Sequence, residues 1–199
     1  MKSLNQYIKE KLIINQRFDE KLIINKDYHD NMIVVKSFDE LGNIIEDRYD
    51  KLGAGTEQYP IDFNDIDVSN MDSFCGKYDK GIFQGTNFKY IDISDWDVSS
   101  VENTSNMFRD CKKLKSVGDI SKWNVSNVTD MTCMFCRCKS FNQDISGWDV
   151  SKVNSMIHMF FHCESFNQDI SKWNVLNVTG RVGMFFGCAI KEIYKPKFK

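Results

Sequence analysis

The chain has 199 residues and a formal net charge of −2, with 26 basic against 28 acidic side chains. That near-balance excludes the broad positive field that attracts nucleic acid or an anionic membrane. Two prolines, mixed charge and 42% hydrophobic residues exclude a largely disordered chain, and no apolar run reaches the roughly 18 residues that span a bilayer.

The opening MKSLNQYIKEKLIIN has no continuous apolar core and no small-residue cleavage site, so export is not expected. The seven cysteines then read as reduced thiols. The expected location is cytoplasmic or virion-associated, with the cell surface less favoured.

Residues 1–36 carry a short repeat of period 10. Glu10-Lys-Leu-Ile-Ile-Asn15 returns as Glu20-Lys-Leu-Ile-Ile-Asn25, and more loosely as Asp30-Asn-Met-Ile-Val-Val35. β-Branched runs closed by Asn, Asp or Lys fit short strands separated by turns. A short helix capped by Ser3, with Leu4 and Ile8 on one face, is the other reading, and residues 8–15 fit both.

Residues 37–60 read as a capping helix and a linker. Ser37 followed by Glu40 is a capping box, and Phe38, Leu41, Ile44, Ile45 and Leu52 recur at helical spacing. Gly53 and Gly55 stop the helix, and the segment to Pro60 is a turn or linker.

Residues 61–199 hold about five units of near-constant length. Trp96, Trp123, Trp148 and Trp173 are spaced 27, 25 and 25 residues apart, and Cys111, Cys138, Cys163 and Cys188 keep the same steps. Each unit reads Ile-Ser-x-Trp-(Asp/Asn)-Val, a Val three residues on, then Met-Phe-x-x-Cys, with starts at Ile93, Ile120, Ile145 and Ile170. A degenerate first unit begins at Ile61, where Phe63, Ile66, Val68 and Met71 take the places of Ile93, Trp96, Val98 and Val101. Ile82-Phe83 stands where Met-Phe stands later, after an insertion at 76–81. The last unit decays into KEIYKPKFK.

A fixed period of this length is the mark of a stacked repeat. The expected fold is an α+β repeat solenoid, leucine-rich-repeat-like, with a short strand and a short helical turn per unit and an N-terminal helix cap. The strands are expected at Cys111–Val117, Cys138–Phe141 and Cys163–Phe166, and the helical turns in Val-(x)5-Met-Phe. One unit alone buries too little apolar surface to offset its ordering, so stacking must supply the rest. The helix is expected to cover one open end and residues 190–199 the other.

FNQDISGWDVSKV at 141–153 and FNQDISKWNV at 166–175, each followed by MFxxC, resemble the bacterial surface protein 26-residue repeat, a BspA-like leucine-rich repeat. MFRDCKKLKSV at 107–117 is similar to the AFxxCxxLxxI core of the wider group. The match covers about residues 61–190. It implies a leucine-rich-repeat solenoid used for adhesion or protein binding, without catalysis. The opening MKSLNQYIKEKL is also similar to the starts of small proteins of gut Bacteroidales and their phages. It implies an alternative, a structural or cargo protein of a bacteriophage particle targeted by its N-terminal segment.

Chemistry is sparse. The cysteine ladder reads as small buried apolar side chains. Cys133, Cys136, His158 and His162 are metal-ligand types, and Cys133 and His158 share a repeat position. The same slot holds Asn106 and Gly183, which reads as a variable surface position, so no metal is assigned. Asp92, Asp119, Asp144 and Asp169 form one ladder and Asp97, Asn124, Asp149 and Asn174 another. Both read as turn caps rather than calcium ligands. No nucleophile, base and orienter assemble, so neither enzyme activity nor a cofactor is expected. The expected partner is another protein, met by variable polar residues on the strand face: Lys113, Lys115, Ser140, Asn142, Glu164 and Asn167.

Overall fold

A computed structural model describes residues 32–198. The period-10 segment falls outside them up to residue 31. The compact unit considered below begins at Ile33.

Strand β1 (Ile33–Val34) leads into helix α1 (Phe38–Leu52). The helix starts where the sequence supplies its caps. Ser37 Oγ accepts the Glu40 N–H at 3.2 Å, and the Glu40 carboxylate reaches back to the Lys36 N–H at 2.9 Å. It ends at Gly53, whose φ of 77° is the left-handed conformation that glycine adopts at least cost. Leu41 and Ile45 are buried beneath it. Tyr49 meets Phe88 edge-on at 5.0 Å, and Arg48 lies over Phe63 while pairing in a fork with Asp65 at 2.7 Å. The helix therefore packs on the degenerate first unit.

Regular strands are few. β2 (Ile61–Asp62) pairs in parallel with β4 (Ile91–Asp92), and β3 (Ile66–Asp67) pairs in parallel with β1. Beyond them, successive units are joined by single parallel bridges at Asn103, Asp130, Ser155 and Gly180. The expected strands at 111–117, 138–141 and 163–166 do not form, apart from one bridge between Tyr90 and Ser116. The expected helical turns are absent as well. The Met-Phe stretch of each repeat is a run of tight turns with two left-handed residues: Asn106 and Asp110, Cys133 and Arg137, His158 and His162, then Gly183 and Gly187.

That backbone turns alternate peptide groups along the stacking direction. Phe83, Phe108, Phe135 and Phe160 each donate an N–H to the carbonyl of the Met before the next Phe, at 2.9, 2.9, 3.1 and 3.0 Å. Asn106, Cys133 and His158 do the same to Thr132, Ile157 and Val182. On this wall the earlier unit always donates and the later one accepts.

Inside, like side chains lie on like. The phenylalanines 83, 108, 135, 160 and 185 form a column with centroids 5.3, 5.5, 5.9 and 5.9 Å apart and rings within 12° of parallel. The tryptophans bury their rings and send Nε1–H back to the previous unit: Trp96 to Phe63 O at 2.9 Å, Trp123 to Ile93 O at 3.2 Å, Trp148 to Ile120 O at 2.9 Å and Trp173 to Ile145 O at 3.2 Å. A buried indole N–H needs such a partner. The last unit is partly covered by the tail, where Tyr194 and Phe198 pack on the core and Lys195 lies over Phe185.

Candidate binding groove and thiol cluster

The carboxylate ladders serve the turns. Asp92, Asp119, Asp144 and Asp169 accept the N–H of the Ser two residues on, at 2.9–3.1 Å. Asp97, Asn124 and Asp149 do likewise at 3.0–3.2 Å, and Asn174 accepts the Leu176 N–H at 3.3 Å. Two-residue loops closed this way need an acceptor, and Asp and Asn supply it at the shortest reach. Hydrogen bonds from Ser121, Ser151 and Ser171 hold the carboxyls of Asp119, Asp149 and Asp169 below their ordinary pKa of 3.8, and Ser69 does the same for Asp67. Burial pushes Asp62 the other way.

A depressed carboxyl contributes stability that is complete above the unfolded value and is lost as pH falls through the folded one. Four groups lowered against one raised give acid sensitivity below 3.8. Asp119→Asn keeps the acceptor and removes the titration. It is expected to leave the melting temperature at neutral pH nearly unchanged and to shrink its fall in acid. An unaltered acid profile would reject the assignment.

The repeat cysteines do more than fill space. The thiols of Cys111, Cys138 and Cys163 donate to the carbonyls of Phe83, Phe108 and Phe135 in the previous unit, at 2.9, 2.9 and 2.8 Å. Burial pushes Cys111 up to about 11 and raises Cys138 and Cys163 as well, so this ladder stays protonated. In the last unit Cys188 departs from the pattern and points to Phe166 O at 3.6 Å.

The six residues expected on the variable face divide into two groups. Lys113 and Lys115 are exposed, with no ion pair among the described residues. Glu164 is tied to Lys139 at 2.7 Å, and Ser140 Oγ donates to Lys112 O at 3.3 Å. Asn142 and Asn167 are structural. Asn142 Oδ1 accepts the Asn167 N–H at 2.9 Å and a Gln168 amide N–H at 3.0 Å, and Asn167 Oδ1 accepts the Lys191 N–H at 2.9 Å. Gln143 likewise accepts the Val117 N–H at 2.9 Å and donates to Gly118 O at 2.6 Å. Side-chain amides thus join the units where strands were expected. Gln143 and Gln168 were missed, although the doubled FNQD marked them.

An open groove of about 670 Å³ runs across this face, lined by Glu57, Tyr90, Asp92, Lys115, Ser116, Ser140, Asn142 and Ser165 among others. A second hollow of about 550 Å³ continues it past Gly118, Asp119 and Gln143. Lys113, Glu164 and Asn167 do not line either hollow.

Cys133, Cys136 and His158 come together on another part of the unit, with Arg109 of the preceding repeat beside them. The slot they use is not the variable surface position expected. Asn106 and Cys133 are buried, and the His158 ring lies where a Cβ on Gly183 would fall, 2.3 Å from its Cδ2. His162 lies apart, over Gly187 and edge-on to Phe186 at 5.5 Å. The two histidines share no helix face, since both are left-handed turn residues. Among the described residues no three His, Cys, Asp or Glu side chains converge with metal-binding spacing.

Residues 77–194, more than half of the chain, match the model of a family described as Mycoplasma protein of unknown function, DUF285. The chain belongs to the DUF285 family. The match opens at the insertion of the degenerate unit and takes in every complete DUF285 repeat, so the tryptophan, cysteine and carboxylate ladders all fall inside it. No curated protein and no solved structure matches the chain significantly. No helix among the described residues is long and apolar enough to cross a membrane.

Proposed function

We propose that this DUF285 chain is a non-catalytic protein-binding module, a BspA-like leucine-rich-repeat solenoid that meets its partner on the groove face. The observation that carries this reading is the open groove itself. It crosses several units, is lined by serine, tyrosine, lysine and carboxylate side chains, and joins residues far apart in sequence, from Glu57 to Ser165. A surface of that length suits an extended segment of another protein, held by polar contacts along its backbone and by a few side chains. The repeat period and the stacking of identical interior residues support the solenoid reading. Repeat stacks characteristically bind through one long face.

Lys115 supplies positive charge in the groove, which also holds the carboxylates of Glu57 and Asp92, and Lys113 is exposed two residues before it. The test is capture of partner protein on the immobilised chain. Reversing both lysines, Lys113→Glu with Lys115→Glu, is expected to reduce capture at least tenfold, about 1.4 kcal/mol or more. Lys152→Glu, on a residue that bonds Asn127 outside the groove, is the control and should leave capture unchanged. Equal capture by all three proteins would remove the groove from the proposal.

A further inference from the structure

Cys133 and Cys136 stand outside the cysteine ladder, and nothing in the proposed binding role uses them. Every repeat sets two residues three apart around its Met-Phe core, and in the described chain only this unit sets two thiols there. We infer that Cys133 and Cys136 form a reversible disulfide, a two-electron thiol switch held between Arg109 of the preceding unit and His158 of the following one.

The backbone places the two residues for it. The Cys136 N–H donates to the Cys133 carbonyl at 3.0 Å. Such a turn holds its first and fourth Cα atoms within about 7 Å, against the roughly 4.4–6.8 Å that a disulfide spans. Both thiols are free and each lies close enough to perturb the other. The surroundings favour a thiolate. Arg109 Nε is buried and makes no hydrogen bond, and its nearest carboxylate oxygen, on Asp110, is 3.7 Å away. His158 of the following unit also lies beside Cys133. A cationic neighbour such as Arg109 opposes a bound metal ion and supports a sulfur anion.

The two sulfurs are also unequal. The hydrogen bond from Cys136 draws Cys133 down to about 6 against the opposing effect of burial, with Arg109 and His158 adding to it. The same bond and burial raise Cys136. Cys133, the more exposed of the two and the one beside His158, is the attacking sulfur and Cys136 the resolving one. Cys133 is 9% exposed and Cys136 5%, which suits a small oxidant such as hydrogen peroxide better than a bulky disulfide.

In the first step the Cys133 thiolate attacks one peroxide oxygen. The O–O bond breaks, the departing hydroxide takes a proton from solvent to leave as water, and Cys133 becomes a sulfenic acid. Cys136 sulfur then attacks Cys133 sulfur. The S–O bond breaks as the S–S bond forms, and the Cys136 proton leaves with the hydroxyl as a second water. The dithiol loses two electrons and the peroxide gains them. A dithiol reductant reverses the change by thiol exchange.

The test is peroxide treatment of the full chain, alkylation after denaturation, and peptide mass mapping. The peptide holding 133–136 is expected to lose two hydrogens and take no alkyl group, while Cys111, Cys138 and Cys163 are alkylated in full. Dithiothreitol should restore both thiols. Cys136→Ser should stop at the sulfenic acid, trapped on Cys133 by dimedone, and Cys133→Ser should leave Cys136 reduced. Oxidation that begins at the more exposed Cys75 or Cys188, with Cys133 and Cys136 still alkylated, would overturn the proposal. Should either serine variant misfold, the map of the unaltered chain decides the matter alone.

Discussion

Phe135→Ala is expected to destabilise the repeat unit by about 3–5 kcal/mol, the range for truncating a fully buried aromatic side chain. Phe135 is 0% exposed. Its ring stacks on Phe108 at 5.5 Å and on Phe160 at 5.9 Å, and it also meets Phe141 at 4.1 Å and Trp148 at 6.3 Å. Truncation therefore opens a void in the middle of a column, where the units on both sides lose contacts. The neighbours cannot close that void, because the main-chain bonds on either side of Phe135 fix the spacing between units. Urea unfolding followed by tryptophan fluorescence would measure the loss, with Trp148 reporting from beside the site. A loss below about 1 kcal/mol would mean that the column is not the core. Stability in a repeat stack is a sum of unit and interface terms, so the same substitution should also broaden the transition.

Gly81→Ala is expected to cost at least about 3 kcal/mol, at the upper end of overpacking penalties. A Cβ at Gly81 would fall 1.8 Å from the Asn106 carbonyl oxygen and 2.7 Å from the Met107 nitrogen. Both are main-chain atoms of the next unit, so no rotamer change relieves the contact. The first unit must move away from the second, and that strains the Phe83 N–H bond to Met107 O. Since Gly81 closes the insertion of the degenerate unit, the effect should concentrate at the helix-capped end. Hydrogen exchange would show faster opening near residues 82–85 than near 133–137, whose alternate N–H groups are bonded to the following unit. Uniform exchange with no change in melting temperature would contradict the close approach.

Helix α1 was legible in the sequence because its signals are local: Ser37 and Glu40 at the start, Gly53 at the stop, and Leu41 and Ile45 one turn apart. The unit boundaries were legible because the ladders of Trp, Cys and Asp repeat in register. The conformation within a unit was not legible. Cys-x-x-(Leu/Phe) looks like a strand end, and Val-(x)5-Met-Phe like a helical turn, but neither forms. Two left-handed residues per unit decide the Met-Phe wall, and Asn, Cys, Arg and His in those slots carry no glycine signal except at Gly183 and Gly187. Of the six residues expected on the variable face, Lys115, Ser140 and Asn142 line the groove. The amides of Asn142 and Asn167 looked free because no single unit contains the main-chain groups that they satisfy. The pairing of Cys133 with His158 was read from register alone, whereas Arg109 entered only once the units were stacked.

The one-way bonding of the Met-Phe wall has an electrical consequence. Each peptide group carries a dipole of about 3.5 D, and in an ordinary strand the groups point alternately to the two sides and cancel. Here the groups that end at Phe108, Phe135 and Phe160 all point their N–H toward the later unit, so their dipoles add from one repeat to the next. The final unit presents the N–H groups of Gly183, Phe185 and Gly187 along one edge, with no acceptor among the described residues. That edge offers donors only. Two such edges brought face to face would set donor against donor, which disfavours a two-fold dimer through this wall. A surface that offers carbonyls or carboxylates in a row would meet it bond for bond.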